Sequence, residues 1–232
     1  PNDLKYATYL NQDRDTINAA LFDNHIEYMF QNHHTTIDSI MIFCDNMKVR
    51  TSQRTYIPFK YVSTFWERCS ESDIAVTSHC KGRMDSVLKL YVGMNVMYTR
   101  NHNVRQGIAN GAQFLVKQVV LQDNVTPNTC LINNIPVKAV LVSQVKHIVL
   151  QDINEKYSAR EINVEPIEFT FKAQVLKHTH NKEMLNMKAT QFPIIVNNAT
   201  TGHKLQGSSV KNLFVHNWHY TTNWCLMLYY QE

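Results

Sequence analysis

The chain has 232 residues, enough to bury a substantial core in one or two domains. With 44% apolar and 18% charged residues it reads as a folded protein and not a disordered one. No apolar run reaches the ~20 residues that would span a bilayer, and a net charge of +4 tilts toward a polyanionic partner without requiring one.

In chain order, Tyr6–Leu10 is rich in strand formers, and Asn11 is a good N-cap for a helix with Ile17, Ala20 and Leu21 at helical spacing. A strand leading into a capped helix is the unit of an α/β fold. Residues 31–86 are more polar and predict a surface elaboration, with short strands at Ser39–Phe43 and around Tyr56–Tyr61. Ile40–Asp45 has the look of an apolar strand ending in a metal-binding Asp. With no phosphate loop ahead of it, an edge strand entering a turn is the better reading.

From Leu88 the pattern changes. Leu88, Leu90 and Val92 alternate up to Gly93, Val96–Tyr98 resumes a strand, and Asn110-Gly111 is a strong turn signal. The stretches 114–121, 130–132, 137–142, 145–150 and 169–175 predict a small all-β insert, a barrel over 112–188. Pro193–Val196 begins another buried strand, the polar stretch Asn197–Gly207 follows, and Leu213–Val215 is again a strand. The six glycines fall in two groups, 82–111 and 202–207, so two distant segments hold the demanding turns.

The cysteines (Cys44, Cys69, Cys80, Cys130 and Cys225) form no C-x-x-C pair, which argues against a disulfide framework or a zinc ribbon. Cys69, His79 and Cys80 lack paired ligand spacing and read as ordinary residues. No basic-then-apolar leader follows Pro1, so a reducing compartment is expected, and the N-x-T sequons at Asn124 and Asn198 read as chance matches.

The densest chemistry lies in Asn198–Ser208, where hydroxyls, an imidazole, an ammonium, an amide and two glycines follow a buried strand. Such a loop can offer N–H groups and a cation to phosphate. On residue types alone, a polar loop opening a helix with Lys204 solvated stands equally. Gly202 and Gly207 have the glycine spacing of a phosphate loop, but Ser208 stands where its lysine is needed, so a nucleotide-binding P-loop is rejected. Trp218, Tyr220 and Trp224 are read as core packing in preference to base stacking.

Thr201-Gly202-His203-Lys204-Leu205-Gln206-Gly207 resembles motif V of PIF-type DNA helicases, relatives of RecD, whose pattern runs T-x-H-K-x-Q-G. Gln191–Ile194 is similar to the strand entering that motif. Leu88–Met97 resembles the family's L-x-L-x-x-G-x-x-V-M strand, and Asn101 with Gly107–Gly111 its N…G-L-x-N-G continuation. Asn11–Asn18 is similar to motif IV. The matches fall in order across nearly the whole chain, closest in flavour to the group that includes helicases of Helitron mobile elements.

The resemblance implies an α/β fold: part of a second RecA-like helicase domain over 1–111 and 189–232, interrupted by a barrel of the Src-homology-three type at 112–188. It implies that Thr201, His203 and Lys204 contact the backbone of single-stranded DNA. Gln206 and Gly207 would face the nucleotide, and Arg14 would approach its phosphates. Arg14 has an equal alternative, pairing with Asp13 or an outside carboxylate.

In the family, motifs I and II hold ATP and magnesium, and they would lie ahead of residue 1 in an N-terminal ATPase domain. No catalytic residue or metal ligand is therefore expected here, and this chain alone is expected to hold neither ATP nor magnesium. Motif VI ends in L-S-R in the family, but Leu228-Tyr229-Tyr230 stand here, and tyrosine cannot supply the arginine's charge.

The partners implied are single-stranded DNA and the ATPase domain, with no membrane. The expected place is the nucleus, with roles in DNA repair, recombination and telomere maintenance. The competing readings are a non-enzymatic DNA-binding or interaction module, a mobile-element remnant, and an unrelated α+β binding domain.

Overall fold

The computed structural model describes residues 4–8, 11–58, 85–153, 160–176, 182–205 and 212–216. Leu4–Thr8 forms β1, and Asn11–His33 forms α1, with Asp13 in the first turn where the helix dipole favours an anion. The helix stops at His34, which takes φ 52° and bonds its N–H to Phe30 O at 3.0 Å.

The buried residues described on α1 are Arg14, Asn18, Phe22 and Ile26, every fourth position. They form one ridge whose chemistry passes from charge through amide to hydrocarbon. The face expected from Ile17, Ala20 and Leu21 is not the buried one: Ile17 and Leu21 are half-buried and Ala20 is exposed. A hydrophobic pattern points elsewhere because the first half of the true ridge is polar.

The strands that follow are β2 (Ser39–Phe43), β3 (Asp45–Arg50), β4 (Tyr56–Pro58), β5 (Val87–Tyr91), β6 (Asn95–Tyr98), β7 (Gln113–Leu121), β8 (Asn128–Ile132) and β9 (Ile135–Leu141). After them come β10 (Val145–Asp152), β11 (Glu161–Val164), β12 (Ile167–Leu176), β13 (Lys182–Gln191), β14 (Ile194–Val196) and β15 (Ala199–Thr201). A single helical turn, α2 (Gly202–Leu205), and β16 (Asn212–Val215) close the described chain. No helix among the described residues is long and apolar enough to cross a membrane.

These strands build four sheets, ordered β15-β1-β16, β11-β10-β7-β6-β14, β12-β13-β3-β4 and β5-β2-β9-β8. The first is parallel throughout; the second and third are antiparallel. The fourth is mixed, with β2 running parallel to β9.

One core serves the last sheet, the five-stranded sheet and the second half of α1. Phe22, Ile26, Ile42, Leu88, Leu90, Phe114, Ile148, Leu150 and Phe192 are all buried within it. Burying each such side chain is worth about 1.5–3 kcal/mol.

The alternation read from Leu88 is realised in part: Leu88 and Leu90 point inward from β5, whereas Val92 lies past the end of that strand, in the turn before Gly93, and is half exposed. The Asn110-Gly111 turn is realised too: Gly111 takes φ 96° and donates to Tyr98 O at 2.8 Å.

Two expectations for 31–86 fail. Ser39–Phe43 is neither surface nor edge: β2 lies between β5 and β9 with Ile42 fully buried. Asp45 does not end that strand in a turn but opens β3. A five-residue apolar run fits a strand covered on both faces as well as an edge strand, and pairing with residues 87–91 and 138–141 decides it. The strands of 112–188 also reach outside that range, β7 to β6, β9 to β2 and β13 to β3.

Candidate nucleic-acid interface

Because β1, β15 and β16 run parallel, their carboxyl ends share one edge. Open parallel sheets place ligands at that edge, where chain segments diverge. Thr8 stands opposite Thr201 there, and His216 N–H bonds to Ala7 O at 2.8 Å. From this edge the chain enters α1 on one side and α2 on the other.

Thr201 ends β15 half-buried, while Thr200 and Ala199 are buried. His203 and Lys204 belong to α2, so their backbone starts directly at the edge. Their side chains lie outside the described residues, as do Gln206, Gly207 and Ser208, the Trp218–Trp224 run, Leu228–Tyr230 and the Cys69–Cys80 group.

A buried amide holds this edge together. Asn18 on α1 accepts from Ala199 N–H at 2.8 Å and donates to Ala199 O at 3.2 Å and Val196 O at 3.4 Å. It thereby fixes the link between β14 and β15 from 178 residues away in sequence. Unsatisfied, those backbone groups would cost about 1–3 kcal/mol each.

Arg14, one turn earlier, is buried, and its Nε donates to Asp15 Oδ1 at 2.8 Å. Its alternative partner Asp13 makes no such bond, and Asp13 Oδ2 is buried without a hydrogen-bond partner among the described residues.

Two further amides brace the approach to Ala199. Asn197 N–H bonds to Asn95 O at 2.9 Å, and Asn198 Nδ2 donates to the Tyr91 hydroxyl at 3.4 Å. The Tyr91 ring stacks on His25 at 3.7 Å, and His25 Nε2 lies 3.1 Å from Asp38. Burial pushes the Tyr91 phenol up; the Asn198 hydrogen bond pulls it down, and the Asp38 charge adds a smaller rise.

Gln191, fully buried, donates to Ile42 O at 3.3 Å and Asp85 O at 3.1 Å and accepts from Phe192 N–H. None of these amides stands out in the sequence by residue type. The signal that could have found Asn18 is its place four residues after Arg14 and four before Phe22.

A cleft of about 250 Å³ opens beside α1, lined by Asp15, Asn18, Asp85 and Lys89. It is smaller than most ligand pockets, and Lys89, the cation of its lining, already faces Asp23 at 3.5 Å. Among the described residues no three His, Cys, Asp or Glu side chains gather to hold a metal ion.

The fold is a strand-rich mixture of α and β structure built from several sheets. The chain matches a structure of Pif1 helicases unwinding forked double-stranded DNA, with TM-score 0.52 and 18% identity over 99% of this chain and 36% of that one. It is also similar to Bacteroides Pif1 bound to single-stranded DNA (TM-score 0.49, 18% identity, 98% and 38%). Pif1 from Candida albicans is similar as well (TM-score 0.49, 15% identity, 92% and 38%). The chain thus spans little more than a third of each of these proteins. No protein-family model and no curated protein matches it.

Proposed function

We propose that this chain is the C-terminal part of a PIF-type, ATP-dependent DNA helicase and contributes the grip on the backbone of single-stranded DNA. The observation that carries this is the parallel edge: on a Pif1-like fold, α2 with His203 and Lys204 starts where β15 ends beside β1. In this reading β1, β15, β16 and α1 belong to a RecA-like domain, and the 112–188 strands belong to an inserted barrel. Thr201, His203 and Lys204 meet phosphate. Gln206, Gly207 and Arg14 face the nucleotide.

ATP and magnesium enter through the family alone. Ser208 stands where a phosphate loop carries its lysine. Hydrolysis therefore belongs to an ATPase domain that this chain would meet as a partner, and the place of action is the nucleus, in DNA repair, recombination or telomere maintenance. Leu228-Tyr229-Tyr230 in place of L-S-R favours a second reading, a DNA-binding module or mobile-element remnant without motor activity.

The test is binding of a fluorescent single-stranded oligonucleotide across a salt series. Affinity that falls with salt and weakens in Lys204→Ala supports the grip. No binding at low salt sinks it. DNA-stimulated ATP turnover by this chain alone, abolished by Lys204→Ala, would overturn the assignment of hydrolysis to another domain.

A further inference from the structure

The four-stranded sheet β12-β13-β3-β4 has one face in the protein and one in solvent. Phe169, Phe171, Met187, Ala189 and Met47 are buried on the inner side. On the outer side the register sets Lys172 opposite Asn186, Lys188 opposite both Thr170 and Lys48, and Arg50 opposite Tyr56. Arg54 is exposed in the β3–β4 turn, with φ 65°.

Against these five cations the described residues of this face and its turn carry two carboxylates, Glu168 and, on β3 opposite Thr190, Asp45, which already accepts a hydrogen bond from Ser143 Oγ. More than half the chain's sequence separates Lys48 from Lys188, so the concentration of charge is a product of the fold.

Glu168 does not neutralise the face. It lies 2.6 Å from Lys188 and 3.7 Å from Lys48, and all three are accessible, with side chains 43%, 27% and 42% exposed. Arg50, Arg54 and Lys172 have no carboxylate partner among the described residues. A surface with so many like charges on adjacent strands is disfavoured unless something offsets it.

From this placement we infer that the outer face of β12-β13-β3-β4 is a docking surface for the phosphate backbone of double-stranded DNA, separate from the parallel edge that carries Lys204. Duplex is favoured over single strand by what the face lacks. Single strands are gripped by stacking bases on aromatic rings. Tyr56 is the aromatic residue described here, and its ring is already covered by Lys188 Nζ at 4.6 Å.

A duplex offers phosphates alone, at the higher charge density. Strands lie about 4.8 Å apart, so Lys172 on β12 and Arg50 on β3 are separated by about 10 Å across the sheet. That is close to the roughly 12 Å width of a major groove, so the two sides can meet both phosphate rows. The binding is independent of sequence, since no side chain here is placed to read bases.

The experiment uses the full chain and a labelled 20-base-pair duplex, titrated by fluorescence anisotropy from low to high salt, with a single strand of equal length alongside. The triple variant Arg50→Ala, Arg54→Ala, Lys172→Ala removes two exposed cations and one half-buried one, none with a carboxylate partner among the described residues. It should weaken duplex binding at least tenfold at low salt and flatten the salt slope by about 0.9 for each phosphate no longer neutralised. Glu168→Gln removes the carboxylate that faces Lys188 and Lys48 and should tighten duplex binding, a change that damage to the fold would not produce.

The inference is overturned if the triple variant binds duplex as the parent does, if Glu168→Gln fails to tighten it, or if single strand loses as much affinity as duplex. Absence of duplex binding by the parent chain overturns it too, while a Lys204 effect on single strand would leave the proposed function standing.

Discussion

Two regions of this molecule are held together by different physics. The half built from β5-β2-β9-β8 and the five-stranded sheet is secured by hydrocarbon, with Phe114, Leu90 and Ile148 packed without exposure. The parallel sheet beside it has strands of five, three and four residues, and its buried apolar residues are small, Ala7 and Ala199. There the specific holding elements are hydrogen bonds: Asn18 on the β14–β15 link, and Thr8 Oγ1 on Thr200 O at 3.4 Å. One helix serves both regions, anchored by Phe22 and Ile26 in the first and presenting Asn18 to the second. The candidate site lies in the region with less packing and more directional bonding, which suits a loop that must be placed accurately and still engage a ligand.

The comparison breaks most sharply at Phe114. Phe114→Ala should cost about 3–5 kcal/mol, read as a lower midpoint in chemical denaturation, because its cavity opens in the shared core. Loss below 1 kcal/mol would mean that the hydrocarbon-packed half is not where the stability lies.

Asn18→Ala should cost about 2–3 kcal/mol, since it strands Ala199 N–H and the carbonyls it bonds. Its signature is local: hydrogen exchange should accelerate through Ala199–Leu205 and stay protected in β7 and β10. Uniform acceleration would show that the two regions unfold as one.

Lys5 sharpens the boundary between them. Its Nζ reaches from β1 to Gln113 Oε1 on β7 at 2.9 Å, and burial lowers its pKa to about 8. The unfolded chain therefore binds the proton more tightly than the folded one. Stability should rise between pH 8 and 10.5 by roughly 2 kcal/mol relative to Lys5→Met, which lacks the group. Denaturation midpoints of the two proteins that run parallel over this range would contradict the burial.

The smallest effect falls at Gly93, where φ is 88° and open space surrounds the missing Cβ. Gly93→Ala should cost about 1 kcal/mol from backbone strain alone, with no clash added. A loss several times larger would place a neighbour where none is described.

Some of this was written in the sequence because it depends on near neighbours. The alternation of Leu88 and Leu90, the Asn110-Gly111 turn and the strand-rich stretches from 114 to 150 follow from local propensity and period. The polar loop after Val196 stood out by residue type, although residue type alone left a phosphate-binding loop and a solvated one equally open. What sequence left open depends on residues far apart in the chain. Ala199–Thr201 reads as loop, yet pairing with β1 makes it a strand. Lys182–Gln191 is poor in strand formers, although Met187 and Ala189 do alternate with Asn186 and Lys188; the full-length ladder with β12 makes it a strand.

Asn18 is an ordinary helix residue until the fold brings Ala199 to it, and Lys48 and Lys188 are ordinary surface charges until β3 and β13 pair. Local preference specifies which segments can be strands or helices. Which of them meet, and therefore which amide clamps a loop and which cations share a face, is set by long-range pairing whose energy exists only once the chain has folded.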